Sequence, residues 1–363
     1  MNWNWYQPVH IAFGGGAASG IAEIIAQKGK QRPALVCDSA VLRCAAAREL
    51  LAQNHFVGIF PDIRPNPTLA NVNDCAAFLR ETSADCVVAL GGGSVLDCAK
   101  AAAALPAADD ISDYADGAKA FDSPGLPLLA VPSTAGTGSE VTCIAVLSDE
   151  ANGRKAPLAS PYLYPAYAVV DPLMTLSVPP KVTAESGMDA LSHALEAMWS
   201  VHHNPVSDAV AARSARLILE HLEAACMDGQ SIAARTAMSE GALLAGIAFS
   251  QARTAGVHAC SYPLTMAYGL SHGAACAFTL AAFARRFGGD IAPKLGCKGA
   301  NALAEKIHAL CGVLRLPRTL GEAGIPEEAL PQLSMDCHKH PMMQNNPVPM
   351  DAGAVLTLFK ELR

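Results

Sequence analysis

The chain has 363 residues, which is long for a single hydrophobic core and suits two joined domains. Apolar residue types make up 51% of it and charged types 16%, so the chain can bury enough apolar surface to fold, and extensive disorder is excluded. The net charge of −7, with no run of lysine or arginine, excludes the basic stripe expected of a nucleic-acid-binding protein.

The N-terminus and the cysteines indicate a protein of the cytoplasm. The first residues, MNWNWYQPVH, show neither the basic nor the apolar region of a signal peptide. We expect no membrane span, because apolar stretches are interrupted by charged and polar residues. None of the 12 cysteines belongs to a C-x-x-C pair, so we expect buried, reduced thiols rather than disulfides or a zinc ribbon.

The first half of the sequence alternates short apolar runs with helical stretches. The runs predict strands at 33–38, 56–60, 86–90 and 128–132, and alanine-rich segments between them predict helices at 40–53, 69–83 and 95–105. Apolar strands that alternate with helices indicate a Rossmann-like parallel sheet covered on both faces. The C-termini of its strands line one edge, where ligands bind.

After about residue 180 the pattern is helical only. Helical periodicity covers 183–200, 206–227, 231–250, 272–285, 299–314 and 351–362. The segment 335–350 is rich in Pro, Asn and His and is expected to be a loop. We therefore predict an α/β domain at 1–180 followed by an all-helical domain at 181–363.

Two glycine- and hydroxyl-rich segments follow predicted strands. The first is GGGSVLDCAK at 91–100, in which Ser94 begins a helix whose free N–H groups favour a phosphate. The second is PSTAGTGSEVT at 132–142, in which Ser133, Thr134 and Thr137 offer hydroxyl groups. Two such loops at one sheet edge suit a pyrophosphate, although a glycine-rich turn without a ligand is the alternative.

Asp38 ends the first of the predicted strands. A carboxylate at this position can accept hydrogen bonds from both ribose hydroxyls of an adenosine and would repel a 2′-phosphate. The sequence therefore favours NAD over NADP. The alternative is that Asp38 caps the following helix, and the two roles are compatible.

Four residues of the second half could hold a metal ion. Asp189 and His193 are four residues apart, so on a helix they share one face. His258 and His272 flank Pro263 and Gly269, which predicts two helix segments and a bend between them. One carboxylate and three imidazoles suit Fe²⁺ or Zn²⁺, although each histidine taken alone could be an ordinary core or capping residue.

These segments together resemble the iron-containing (group III) alcohol dehydrogenase family. The resemblance covers most of the chain and is carried by Phe13-Gly14, the segments 91–100 and 132–142, Val170-Asp171-Pro172, and the Asp189/His193 and His258/His272 pairs. It implies a dinucleotide-binding α/β domain, a helical metal- and substrate-binding domain of the dehydroquinate synthase-like fold, and a homodimer.

The resemblance also implies site residues. All four metal ligands of the family pattern are present, as Asp189, His193, His258 and His272. The pattern assigns NAD contacts to Gly92, Gly93, Ser94, Thr134 and Thr137, places Asp97 and Lys155 near the cofactor, and places Asp38 at the ribose.

The sequence departs from the family pattern at two places. Tyr262 stands where many members have a further histidine, and Arg253 lies in the altered stretch before His258. Tyr262 could deliver a proton or only pack. The altered stretch resembles a branch that reduces phosphonoacetaldehyde, in which Arg253 could pair with the substrate anion, although a surface ion pair is the alternative.

The implied activity is hydride transfer between NAD(H) and a small primary alcohol or aldehyde, with Fe²⁺ or Zn²⁺ and with His272 and Tyr262 as catalytic residues. A phosphonoacetaldehyde reductase acting on an anionic aldehyde is one alternative. A glycerol dehydrogenase or dehydroquinate synthase-like enzyme on the same scaffold is another. A non-catalytic binding protein is a third, against which the intact ligand set argues.

Overall fold

The computed structural model describes residues 2–362, so Met1 and Arg363, which the predicted domains include, lie outside it. The chain forms two compact units. One, here called the α/β unit, is Gln7–Val178. The other, here called the helical unit, is formed by the described residues of Pro179–Arg363 and of Met1–Tyr6.

A parallel six-stranded sheet forms the centre of the α/β unit. The strands of the unit are β1 (His10–Phe13), β2 (Pro33–Cys37), β3 (Gly58–Phe60), β4 (Cys86–Gly91), β5 (Leu128–Pro132), β6 (Ile144–Asp149), β7 (Arg154–Ala159) and β8 (Tyr167–Val170). The sheet order is β1-β8-β5-β4-β2-β3, and β6 and β7 form a separate antiparallel hairpin.

Helices cover both faces of this sheet. They are α1 (Ile21–Gln27), α2 (Ala45–Gln53), α3 (Leu69–Glu81), α4 (Gly93–Ala104) and α5 (Ile111–Ala115). Alternate residues of β4 divide between the two cores: Val87 and Ala89 pack on the side of α3 and α4, and Val88 and Leu90 on the side of α1 and α2. The alternation explains why the strand is apolar throughout, because both of its faces are buried.

The strand order places a switch point between β2 and β4. From β2 the chain continues outward to β3, whereas from β4 it continues to β5 in the opposite direction. Cys37 pairs with Leu90, and Gly91 with Pro132, so the ends of β2, β4 and β5 lie side by side. In open parallel sheets the crevice beyond such a switch point is where ligands bind.

The four predicted strands are present as β2, β3, β4 and β5, but four further strands were not predicted. β1 and β8 have four residues each, too few for a periodic signal, and the β6–β7 hairpin is joined by a turn at residues 150–153. The predicted helix at 40–53 is interrupted: a 3-10 turn spans Val41–Arg43 and α2 begins only at Ala45.

The helical unit contains α6 (Pro180–Trp199), α7 (Pro205–Met227), α8 (Ile232–Ala252), α9 (Gly256–Tyr268), α10 (His272–Phe287), α11 (Ala300–Val313), α12 (Leu330–Lys339) and α13 (Ala352–Lys360). The first three pack on one another, and α10 packs on α6, α9 and α11. α6 is consequently central, and residues 187–199 of it are all buried.

The loop expected at 335–350 is partly wrong. α12 continues to Lys339, and a 3-10 turn follows at Pro341–Asn345. Leu330, Leu333 and Cys337 are buried at helical spacing, which is the apolar face that the polar composition of the segment concealed.

Among the described residues, one helix, α8, is long and apolar enough to span a membrane by length and composition, contrary to the expectation from the sequence. Within the described residues, 67% of its apolar window is buried by the rest of the protein. Helices of globular cores commonly pass the same test, and burial of this extent fits a core helix.

Candidate metal centre and dinucleotide loops

Helix α6 carries the first two predicted metal ligands. Asp189 and His193 lie one turn apart on the same face, and both are at least nine-tenths buried. The His193 ring is stacked between the rings of Phe249 and His258, with centroid distances of 4.2 and 4.5 Å. These contacts fix the orientation of the imidazole beside the carboxylate.

The corner between α9 and α10 brings in the other two histidines. α9 ends at Tyr268, the following Gly269 adopts the left-handed conformation with φ of 66°, and Ser271 caps the start of α10 with its side chain. A Cβ on Gly273 would lie 2.1 Å from the carbonyl oxygen of Glu185 on α6. The missing side chain therefore lets α10 approach α6 closely enough to set His272 beside Asp189.

The four side chains converge on one carboxylate oxygen. Asp189 Oδ1 lies 3.4 Å from His272 Nε2, 3.5 Å from His258 Nε2 and 3.9 Å from His193 Nε2. Asp189 and His258 are buried, whereas the side chain of His272 is 42% exposed. The convergence of these residues, distant in sequence, is the arrangement the metal hypothesis requires.

The donor set fits a divalent cation. Among the described residues, Asp189 Oδ1 and His258 Nε2 are buried and have no hydrogen-bond partner. Buried polar atoms of this kind are costly unless a ligand satisfies them. Three imidazole nitrogens around one carboxylate oxygen are a suitable donor set for Fe²⁺ or Zn²⁺.

Neighbouring groups fix the tautomers of two of the imidazoles. Glu196 is fully buried, and its carboxylate accepts hydrogen bonds from His258 Nδ1 and from the backbone N–H of Val257. His272 Nδ1 lies 3.4 Å from Ser261 Oγ, which itself donates to the carbonyl of His258. A proton on each Nδ1 leaves each Nε2 lone pair free to bind a metal.

The charges in this cluster influence one another's ionisation. Burial disfavours the Asp189 carboxylate, but the nearby imidazoles outweigh burial and hold its pKa well below the usual range. Burial also disfavours protonated His258, yet Cys276, Glu196 and Asp189 raise its pKa overall. A bound cation would replace protons here, so the affinity for metal must rise with pH.

Tyr262 and Arg253 occupy different surroundings in the helical unit. The Tyr262 ring is stacked on His340, at a centroid distance of 4.8 Å, and meets His272 edge-on at 6.2 Å. Arg253 follows α8 with φ of 65° and ψ of 163°, a conformation that costs a non-glycine residue on the order of 1–3 kcal/mol. Its side chain is exposed.

The two glycine-rich loops of the α/β unit pack against each other. Gly92 precedes α4, and no side chain caps this helix. A Cβ on Gly93 would lie 2.6 Å from Thr137 Cγ2, and one on Gly92 would lie 3.4 Å from Thr134 Oγ1. The N–H of Ser133 donates to the carbonyl of Gly91. The uncapped N-terminus of α4 therefore lies in a glycine cradle suited to a phosphate.

Asp38 lies at the end of β2, next to this cradle in the sheet order. One oxygen of its carboxylate accepts a hydrogen bond of 2.8 Å from the N–H of Val41. The helix-capping role considered as the alternative is wrong, because the 3-10 turn at Val41–Arg43 has Ala40 as its N-cap and α2 has Cys44, and neither is capped by a side chain. Asp38 is half-buried, and its position beside the end of β4 is also the one expected of a ribose contact.

The remaining predicted cofactor residues belong to hydrogen-bond networks within the unit. Asp97 accepts hydrogen bonds from Ser139 Oγ at 2.5 Å and from the N–H of Val146 at 2.8 Å. Ser94 Oγ accepts from the N–H of Asn66, and the Asn66 side chain accepts from Lys155 Nζ at 2.7 Å. Asp97 thus holds the second loop in place, while Lys155 and Ser94 are linked through Asn66.

Sequence reasoning did not single out three residues that these sites use. Lys100 is buried and donates from Nζ to the carbonyls of Ser139 and Ile144, which anchors the second loop. Glu196 orients His258, and Cys276 lies beside His272. Helical spacing could have indicated the last two, since Glu196 is seven residues after Asp189 and Cys276 is four after His272.

The fold and the two sites define a class of protein: a metal-dependent enzyme that uses a dinucleotide. Residues 8–172 match the family described as iron-containing alcohol dehydrogenase, and residues 183–362 match the C-terminal region of the Fe-containing alcohol dehydrogenase family. The chain belongs to the iron-containing alcohol dehydrogenase family, and it is by class an NAD-dependent oxidoreductase. The resemblance and fold class inferred from the sequence are thus confirmed.

Several relatives match along most of their length. Long-chain-alcohol dehydrogenase 1 of Geobacillus thermodenitrificans is 36% identical over 86% of this chain and 83% of its own. The NAD-dependent methanol dehydrogenase of Bacillus methanolicus is 33% identical over 95% of both chains. The crystal structure of sulfoacetaldehyde reductase from Bifidobacterium kashiwanohense in complex with NAD⁺ superposes with a TM-score of 0.95 at 38% identity, covering 100% of this chain and 99% of that one.

Proposed function

We propose that the protein transfers a hydride reversibly between NAD(H) and a small primary alcohol or its aldehyde, with Fe²⁺ or Zn²⁺ held by Asp189, His193, His258 and His272. The observation that carries the proposal is the pair of buried, unpartnered atoms, Asp189 Oδ1 and His258 Nε2, amid two further imidazoles. Members of the same family named as NAD-dependent and as alcohol dehydrogenases support the reaction class.

The residues of the metal centre prepare the site for this reaction. When bound, the dinucleotide supplies or accepts the hydride, and the metal ion acts as a Lewis acid at the substrate oxygen. Glu196 keeps the proton on Nδ1 of His258, so that its Nε2 faces Asp189. The buried carboxylate keeps its charge, because the surrounding imidazoles hold its pKa low.

The direct test uses chelator-treated protein. Fe²⁺, under anaerobic conditions, or Zn²⁺ is added back, and NADH absorbance is followed with a panel of small primary alcohols and aldehydes. Turnover that depends on added metal is expected. A dehydroquinate synthase-like enzyme would give no net change in NADH, and full activity after complete removal of metal would contradict the proposal.

For the cofactor, we propose that Gly92, Gly93, Ser94, Ser133, Thr134 and Thr137 bind the pyrophosphate of NAD, with Asp97 and Lys155 supporting the loops. The glycine cradle before α4 supports this assignment, because it leaves the helix N-terminus uncovered. Asp38 would accept hydrogen bonds from the adenosine ribose.

Asp38→Asn tests the ribose contact. The amide oxygen of asparagine can still accept the hydrogen bond from Val41, so this hydrogen bond is preserved while the charge is lost. We expect the preference for NAD over NADP, measured as the ratio of the two kcat/KM values, to fall by about tenfold, since repulsion of a 2′-phosphate is removed. An unchanged ratio would refute the contact.

Tyr262→Phe tests proton delivery. The ring contacts with His340 and His272 are preserved by phenylalanine, so only the hydroxyl is removed. If the hydroxyl delivers the proton, kcat should fall by about 100-fold and one limb of the pH profile should flatten. Retention of both rate and profile would leave Tyr262 a packing residue.

A second candidate substrate class is an aldehyde that carries an acidic group. The strained backbone of Arg253 is held by a hydrogen bond of its N–H to Phe249, and the carbonyl of Ala252 accepts from Ser200 Oγ. Strain of this kind is concentrated at functional sites, and a guanidinium recognises sulfonate or phosphonate well. The similarity to a sulfoacetaldehyde reductase favours the same class.

Arg253→Gln separates the two substrate classes. For sulfoacetaldehyde and phosphonoacetaldehyde we expect kcat/KM to fall by about 10- to 100-fold, because a charge-assisted pair worth about 1.5–3 kcal/mol is lost. Propanal, which has no acidic group, serves as the matched control substrate and should be affected little. An equal effect on all three aldehydes would remove Arg253 from substrate recognition.

We further infer that the enzyme works in the cytoplasm as a homodimer. The free state of all twelve cysteines in the structure supports a reducing compartment, and the dimer rests on the family resemblance. Light scattering of the purified protein after size-exclusion chromatography measures the assembly, and a monomer under all conditions would contradict it.

A further inference from the structure

Cys276 lies next to the metal centre, although no part of the proposed chemistry uses it. It is fully buried on α10, one helical turn after His272, and its Sγ lies 3.9 Å from His272 Nε2. One atom each of Asp189, His258, His272 and Cys276 lie within 4.8 Å of one another. The thiol therefore shares the space in which the carboxylate and imidazole donors meet.

The distances in this cluster are close to those between the ligand atoms of a single bound metal ion. With bond lengths of about 2.0–2.1 Å to nitrogen or oxygen and about 2.3 Å to sulfur, the ligand atoms of tetrahedral zinc lie about 3.3–3.6 Å apart. The distances from Asp189 Oδ1 to His258 and His272 are 3.5 and 3.4 Å, and that from His272 Nε2 to Cys276 Sγ is 3.9 Å. The distance from His272 Nε2 to Cys276 Sγ exceeds this range by only a few tenths of an ångström, and a small rotation of the Cys276 side chain would remove the excess.

We propose that the thiolate of Cys276 is an additional ligand of the metal centre and makes this chain favour thiophilic Zn²⁺ over Fe²⁺. Two buried, unpartnered donor atoms, Asp189 Oδ1 and His258 Nε2, mark the position of a cation independently of the thiol. On binding, the S–H bond breaks, its proton passes to solvent, and a sulfur–metal bond forms without any change of oxidation state. Sulfur ligands select Zn²⁺ because it is the softer of the two ions.

This inference rests on the proposed metal centre. Binding of Co²⁺ separates a failure of the Cys276 assignment from a failure of the metal centre itself. Co²⁺ is titrated into chelator-treated protein, and the visible ligand-field bands then report binding to the site. A thiolate ligand adds a sulfur-to-cobalt charge-transfer band in the near ultraviolet. We expect both signals in the wild type, and we expect Cys276→Ser to retain the visible bands and lose the charge-transfer band.

Cys311→Ser is the matched control, because Cys311 is also a buried helical cysteine and its Sγ contacts the carbonyl of Ala277. It should keep the charge-transfer band. Visible bands without a charge-transfer band in the wild type would overturn the role of Cys276 and leave the metal centre intact. The lack of any cobalt binding would overturn both.

Two further measurements complete the test. When Zn²⁺ and Fe²⁺ compete at equal concentrations under anaerobic conditions, the ratio of bound zinc to bound iron should be about tenfold or more lower in Cys276→Ser than in the wild type. An unchanged ratio would overturn the proposed preference for zinc. X-ray absorption of the zinc-loaded wild type tests the same ligand without any substitution. A sulfur neighbour at about 2.3 Å is expected, and a shell of nitrogen and oxygen alone would overturn the proposal.

Discussion

Replacing His272 by Ala is expected to abolish turnover and to weaken metal binding by roughly 100-fold or more. The loss of a residue that only hydrogen-bonds to a metal ligand already lowers metal affinity by about 10–100-fold, and a direct ligand should matter at least as much. The imidazole Nε2 lies 3.4 Å from Asp189 Oδ1, and its loss removes one of the four proposed ligands. The side chain is 42% exposed, so its removal opens no buried cavity and the fold should persist. Metal content and steady-state rate measure the effect.

His308→Ala is the control for this prediction. His308 is an exposed histidine on α11, and its replacement should leave metal content, rate and thermal stability unchanged. A His272→Ala protein with wild-type metal content and activity would remove His272 from the site. Loss of activity with full metal retention would reassign it from ligand to another part of the reaction.

Local pattern was sufficient for the parts of the metal centre that lie on one helix. Asp189 and His193 are four residues apart, and the helical period alone places them on one face. The approach of His258 and His272 depends instead on tertiary packing: on the turn at Gly269 and on the space that Gly273 leaves for the backbone of Glu185. Only the resemblance to a family could indicate that convergence before the structure.

The residues that sequence reasoning overlooked share a physical cause. Glu196 and Cys276 stand in apolar helical stretches, where an acid is expected to be exposed and a thiol to be mere packing. Lys100 lies within the helix predicted at 95–105, where a lysine is expected to be exposed, but it is buried, and its ammonium group is satisfied by backbone carbonyls. Burial cannot be read from residue type, so the functions of such residues emerge only with the packing.

At the sheet edge, too, some features could be predicted from local sequence and others depend on tertiary packing. Apolar strands and glycine-rich segments predicted β2, β4 and β5 and the loops that follow them, because strands with two buried faces are apolar throughout. The hydrogen-bond network of Asp97 could not be predicted, since its partners Ser139 and Val146 are more than forty residues away in sequence. The loops themselves were predictable, whereas the groups that hold them were not.

Replacing Gly93 by Ala is expected to weaken NAD binding on the order of 100-fold, about 2.7 kcal/mol, while metal binding stays unchanged. The added Cβ would lie 2.6 Å from Thr137 Cγ2 and 3.0 Å from Thr137 Oγ1, so the second loop must move away from the N-terminus of α4. Alanine is the better helix former by about 1 kcal/mol, so a general loss of helix stability cannot be the cause. Calorimetric titration with NAD measures the effect.

A second substitution decides whether this clash is the reason. Thr137→Ser removes Cγ2, the atom nearest the new Cβ, so the double variant Gly93→Ala/Thr137→Ser should recover part of the lost affinity, allowing for the effect of Thr137→Ser alone. Gly20→Ala is the control, because a Cβ on Gly20 meets nothing within 4 Å and its φ is −79°. If Gly93→Ala binds NAD as tightly as Gly20→Ala does, the glycine cradle is not the phosphate site, and the dinucleotide must be bound elsewhere on the sheet edge.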